Sequence, residues 1–82
     1  MDDQGFDHVP VERVTTQVMN ALTRREVEVL RWCAAGKTAV ETGMILGLTC
    51  RTVNFHVSSA VRKMGVKNRT SAAVQAALGG VF

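Results

Sequence analysis

A small residue, a turn glycine and a β-branched apolar residue occur at fixed intervals within residues 36–64, and this spacing constrains the fold more than any other feature. Gly43 stands four positions before Gly47, and Val53 stands six positions after it. A tight corner between two helices needs this order. The small residue lets the helices approach closely, the turn glycine takes a positive φ, and the valine closes the angle between them. The pattern predicts one helix opened by Thr38-Ala39-Val40-Glu41, a turn at Gly47-Leu48-Thr49, and another helix from Cys50 to about Met64. A unit of this shape commonly inserts its second helix into the major groove of DNA.

The flanking sequence extends this to four helices. Thr23-Arg24-Arg25-Glu26 is a capping box, bracketed by Leu22 and Val27 as a hydrophobic staple. It opens a helix whose apolar stripe runs through Val27, Leu30 and Ala34, widened by Val29 and Cys33, and which Gly36 ends. Thr38-x-x-Glu41 is a second capping box. Leu48 and Val53 around Thr49 form a second staple. Gly65 ends the third helix, Asn68-Arg69 is expected to turn, and Thr70 is expected to cap a fourth helix to about Leu78. Residues 22–82 therefore read as a compact all-α, four-helix helix-turn-helix domain. Residues 1–21 read as a linker or N-terminal extension, in which Pro10 to Asn20 could add a short helix because Val11, Val14 and Val18 share a face.

Composition narrows the function. The chain has 82 residues and is 46% hydrophobic, enough for a small helical core but not for a buried catalytic cleft. Cys33, Cys50, His8 and His56 match no metal-ligand spacing. No nucleophile–base pair, paired carboxylates or glycine-rich phosphate loop is present, so no catalytic residue, metal or cofactor is expected in the chain. Unpaired thiols suit a reducing, cytoplasmic setting, and no apolar run reaches the roughly 20 residues of a membrane span. Charge is strongly segregated. Residues 1–41 carry a net −2, whereas residues 42–82 hold Arg51, Arg62, Lys63, Lys67 and Arg69 with no acid, a net +5. Such a basic half suits a polyanion.

On the third helix, Val53, Val57, Ala60, Val61 and Met64 fall within about a third of the circle and define the core stripe. Arg51, Asn54, Phe55, Ser58, Ser59 and Arg62 lie on the other side. Asn54 can hydrogen-bond base edges, Phe55 can meet a thymine methyl, and Ser58 allows close approach. Thr49, Arg51 and Thr52 at the helix start suit phosphates.

Four segments together resemble the LuxR-type helix-turn-helix domain. They are Leu22-Thr23-x-Arg25-Glu26-x-Glu28-Val29-Leu30, Gly36-Lys37-Thr38, Leu46-Gly47-Leu48-Thr49-x-Arg51-Thr52-Val53-x-x-His56, and Arg62-Lys63-Met64-Gly65-Val66-x-Asn68-Arg69-Thr70. The Arg31-Trp32 pair, Gly43-Met44-Ile45-Leu46-Gly47 and Asn54-Phe55-His56 are most similar to the quorum-sensing branch. The resemblance implies a bacterial transcription factor that binds a palindromic promoter element in double-stranded DNA as a homodimer, with RNA polymerase as a further partner. In that branch an acyl-homoserine lactone binds a separate upstream domain. Candidate DNA contacts are Lys37, Thr38, Thr49, Arg51, Thr52, Asn54, Phe55, Ser58, Arg62, Lys63, Lys67, Asn68 and Arg69. Candidate dimer contacts on the fourth helix are Ala73, Val74, Ala77, Leu78 and Val81. The alternatives are a short stand-alone regulator similar to the sporulation protein GerE, and a dimerisation or anti-activator module that acts without binding DNA.

Two positions depart from the pattern. Thr42 stands where an isoleucine is usual, which is expected to weaken packing of the second helix. Cys50 stands where an acid is common, which removes a negative charge beside the DNA backbone. It is read as a bland surface cysteine, the alternative being thiol chemistry at the helix start.

Overall fold

The structure is a computed structural model that describes residues 21–81, so the expected Pro10–Asn20 helix and the rest of the N-terminal extension lie outside the described residues. Within them the chain forms α1 (Arg24–Ala34), α2 (Ala39–Leu46), α3 (Cys50–Met64) and α4 (Arg69–Leu78). Each boundary has a local cause. Both predicted capping boxes are present: the Thr23 hydroxyl accepts from the Glu26 N–H and the Thr38 hydroxyl from the Glu41 N–H, with each glutamate accepting from its threonine N–H in return. After α1, Gly36 at φ 87° carries the chain into the next cap. The cap of α4 differs from the expectation. Asn68, not Thr70, is the N-cap residue, its Oδ1 accepting from the Ser71 N–H at 2.9 Å, so the helix begins at Arg69. Asparagine in extended backbone caps better than threonine, and here it outcompetes the hydroxyl two residues on.

The corner between α2 and α3 follows the predicted geometry. Gly47 ends α2 in the left-handed conformation at φ 73°, and the Leu48 N–H reaches back to the Gly43 carbonyl at 2.8 Å. A Cβ on Gly43 would sit closer than 3.0 Å to the Leu48 carbonyl oxygen, which is why this position needs glycine. Val53 is fully buried beside it, and Leu48 packs against the cluster that Val53 shares with Val29 and Val57.

A second cluster, Leu30, Ala60, Ala72 and Ala76, joins α1, α3 and α4, with Leu22, Met64, Val66 and Val81 packed around it. Val61 touches both clusters and makes the core continuous. The α1 stripe is rotated from the expected one. Val29 and Leu30 are its fully buried centre, Val27 is half-buried and Ala34 is exposed. The rotation brings Glu26 into the interior, because α3 and α4 both pack on α1 and cover more than one face of it.

Thr42 is fully buried, and its Oγ1 has no hydrogen-bond partner among the described residues. A buried hydroxyl without a partner loses its hydration for nothing. Thr42→Val keeps the shape and removes the orphan oxygen. It should stabilise the domain by about 1 kcal/mol, raising the thermal midpoint by roughly 4–8 °C. Thermal unfolding followed by circular dichroism checks this, and an unchanged or lower midpoint would count against it.

Candidate nucleic-acid interface

Helix α3 separates a buried stripe from an exposed one. Val53, Val57 and Ala60 are buried, with Val61 and Met64 half-covered at the margins. Asn54, Ser58, Arg51, Arg62 and Phe55 are all exposed and span an arc of about 100° at 3.6 residues per turn. Phe55 points directly away from the core and is 65% exposed. Its ring meets His56 edge-on, with centroids 5.7 Å apart and planes at 70°. The Asn54 amide donates to Cys50 Sγ at 3.6 Å, tying it to the preceding turn.

Ser59 departs from the expectation: it is buried, not part of the exposed side. A helical wheel describes one helix alone, and here α1 covers the flank where Ser59 sits. Ser59 hydrogen-bonds Glu26, whose carboxylate also accepts from the Thr23 N–H at 2.8 Å and from Lys63 Nζ at 2.9 Å. Burial alone would push this carboxyl up. The bonds from Ser59, Thr23 and Lys63 and the charge of Lys63 overcome it and hold the group down at about 2. Glu41, at the start of α2, is also lowered, chiefly by the Thr38 N–H and then by the Thr38 hydroxyl.

The other candidate DNA contacts divide into two groups. Lys37, Lys67, Arg51 and Arg62 are exposed. Several others already have intramolecular partners. Lys63 holds Glu26 and also the Ala21 carbonyl at 3.2 Å. Arg69 donates to Cys33 Sγ at 3.4 Å. Thr38, Thr49 and Asn68 are the caps of α2, α3 and α4. The Thr49 hydroxyl donates to Thr52 Oγ1 at 3.0 Å while accepting from the Thr52 N–H, so its proton is used within the helix. What remains for an anion at the start of α3 is the backbone N–H of Cys50 and of Arg51, which no intrahelical carbonyl can reach.

Two of the candidate dimer contacts on and after α4, Ala73 and Val81, are taken up by the domain itself. The row that meets the core is Ala72 and Ala76, one turn apart, with Ala73 also buried. Val81 packs against the molecule's own core. Of the candidate dimer contacts, Val74, Ala77 and Leu78 remain exposed, Leu78 at 78%. They line one side of a groove of about 490 Å³ against the end of α1, with Lys37 and Arg69 also on its wall. No His/Cys/Asp/Glu group able to hold a metal ion occurs among the described residues, and none of their helices is long and apolar enough to cross a membrane.

Two helices set at a glycine corner, with an exposed, acid-free strip on the second, define a helix-turn-helix DNA-binding domain. Residues 20–76 match the family model "Bacterial regulatory proteins, luxR family", and the chain belongs to that family as a DNA-binding domain of a transcriptional regulator. It is 50% identical over 61 residues to the transcriptional activator protein AnoR of Acinetobacter nosocomialis, covering 74% of this chain and 26% of that protein. It is 53% identical over 57 residues to the quorum sensing-dependent transcriptional regulator RpaR of Rhodopseudomonas palustris, covering 70% of this chain and 24% of RpaR. The crystal structure of Escherichia coli SdiA superposes with a TM-score of 0.72 at 43% identity, covering 74% of this chain and 26% of SdiA. The chain thus spans about a quarter of the length of these relatives. AnoR and RpaR are transcriptional regulators, a non-enzymatic role, and SdiA is a regulatory protein.

Proposed function

We propose that this chain reads a palindromic promoter element in double-stranded DNA, with α3 in the major groove and a second copy on the other half-site. The observation that carries the reading is the exposed strip of Arg51, Asn54, Phe55, Ser58 and Arg62, which holds no acid. Arg51, Arg62, Lys37 and Lys67 supply the phosphate charge; Asn54, Phe55 and Ser58 meet base edges. The exposed Val74, Ala77 and Leu78 of α4 form the two-fold contact, which is too small to hold a dimer without DNA. The wider setting is the one that the resemblance to the quorum-sensing branch implies. An upstream domain would bind an acyl-homoserine lactone, the regulator would work in the cytoplasm, and activation would proceed through RNA polymerase. The chain itself needs no cofactor for its part.

Fluorescence anisotropy on a duplex across a salt series tests this. These four exposed cations should give a slope of log K against log salt of about −3 to −4 per chain, near −0.9 for each phosphate neutralised. Lys67→Ala should weaken every sequence alike and flatten the slope by about 1, whereas Asn54→Ala should cost roughly 1–3 kcal/mol on the preferred element alone. Leu78→Glu should leave single half-site binding intact and abolish cooperative occupancy of two. Affinity that does not change with salt would sink the reading. Equal loss on specific and random DNA for Asn54→Ala would move the reading face elsewhere.

A further inference from the structure

Among the described residues Phe55 belongs to neither core cluster. It lies diametrically opposite the core stripe of α3, is 65% exposed, and has the exposed Arg51 and Arg62 one and two turns away along the same strip. The edge-on contact with His56 favours this orientation of the ring. A phenyl ring can neither donate nor accept a conventional hydrogen bond, and so it cannot discriminate the polar edges of base pairs. The major groove offers one apolar mark, the 5-methyl group of thymine. Wedge insertion between base steps is a minor-groove device. The neighbours of Phe55 are guanidinium and amide groups suited to phosphates and the major groove, so the ring is aimed at a base edge.

We propose that Phe55 is a specificity-determining residue that reads a pyrimidine 5-methyl group at one position of each half-site. This deepens the DNA-binding reading and rests on it. Asn54 and the arginines would set register and polar readout, and Phe55 would add a contact that depends on the methyl alone. A further consequence is that the site should respond to cytosine methylation. At that position a 5-methylcytosine·guanine pair restores the group that unmodified cytosine lacks.

The test begins with a duplex selected by the 82-residue chain from a random library. Each thymine is then replaced singly by uracil, which removes the methyl and keeps every hydrogen-bonding atom. One position per half-site should lose affinity about fourfold, the order expected for one methyl group buried against apolar surface. At that position, 5-methylcytosine should bind better than cytosine by a similar factor. In Phe55→Ala both methyl effects should vanish and affinity for the preferred duplex should fall by about the same fourfold, while the salt slope, which the cations set, is retained. Phe55→Leu should keep part of the methyl effect. Uracil substitution without effect at every position, or a methyl effect that survives undiminished in Phe55→Ala, overturns the assignment while leaving DNA binding in place. Failure to enrich any duplex from the library overturns the DNA-binding reading and this assignment with it.

Discussion

Gly43→Ala should remove about half of the domain's stability, and Gly43→Val should leave it unfolded at room temperature. The added Cβ would overlap the Leu48 carbonyl oxygen, a backbone atom fixed by the turn, with the Leu48 and Thr49 carbonyl carbons just behind it. No side chain can rotate away to relieve the contact, so α2 and α3 must separate. Separation would open the space around Val53, which is fully buried at the corner. Overpacking costs about 1–3 kcal/mol in a core that can yield, and against fixed backbone this contact should reach or exceed the upper end, whereas the better helix propensity of alanine returns only about 1 kcal/mol. A domain of this size holds roughly 3–9 kcal/mol, so the balance is a large fraction of the total. Gly36 provides the contrast. A Cβ there meets nothing within 4 Å, but its φ of 87° disfavours any side chain. Gly36→Ala should therefore cost only about 1–2 kcal/mol, as backbone strain. Urea unfolding of both variants decides the matter. Gly43→Ala within 1 kcal/mol of wild type would show that the corner can widen freely.

The corner was legible because its chemistry spans only a few residues. The two capping boxes, the left-handed Gly47 and the staple residue Leu48 each depend on partners within five positions, so their spacing alone specifies them. The exposed strip on α3 was legible in the same way, since one helical period carries most of it. Contacts that cross between helices were not. Glu26 reads as a surface capping residue, yet Lys63, 37 positions away, and Ser59 converge on it. The same contact takes Lys63 out of the set of free cations. The rotation of α4 was hidden for a different reason. Its apolar residues lie on nearly every side, so periodicity could not choose between rows, and packing selected the smallest, Ala72 and Ala76, for the closest approach to Leu30 and Ala60. The Asn68 cap was missed because two capping residues stand two positions apart and only the structure resolves their competition.

The Glu26 node should dominate the acid sensitivity of the domain. Its carboxyl sits near 2 when folded, against an ordinary value of 4.5, and only 4% of the side chain is exposed. A depressed folded value means that the native state holds fewer protons than the unfolded one at intermediate pH. The stabilisation is therefore present above about pH 4.5 and is lost as the pH falls toward 2. Its size is about 3 kcal/mol. Glu26→Gln keeps the shape and an acceptor but removes the charge, so it should cost most of that amount at pH 7 and flatten the stability profile between pH 4.5 and 2. Glu26→Ala should cost more, because the Thr23 N–H, the Ser59 hydroxyl and the Lys63 ammonium all lose their acceptor. Lys63→Met should cost least. The ammonium is about one-third exposed, and the carboxylate keeps its other two donors. Glu41 also titrates below its usual range, but it is exposed and should leave a small residual slope in every variant. Urea unfolding at pH 7 and pH 3 measures these costs, and an unaltered acid profile in Glu26→Gln would remove Glu26 as the cause. The node also links stability to function. It is formed by the cap of α1 and the last two turns of α3, so it sets the angle at which the exposed strip is presented. Glu26→Ala should therefore weaken specific DNA binding even though Glu26 lies on the opposite side of α3 from Asn54 and Ser58.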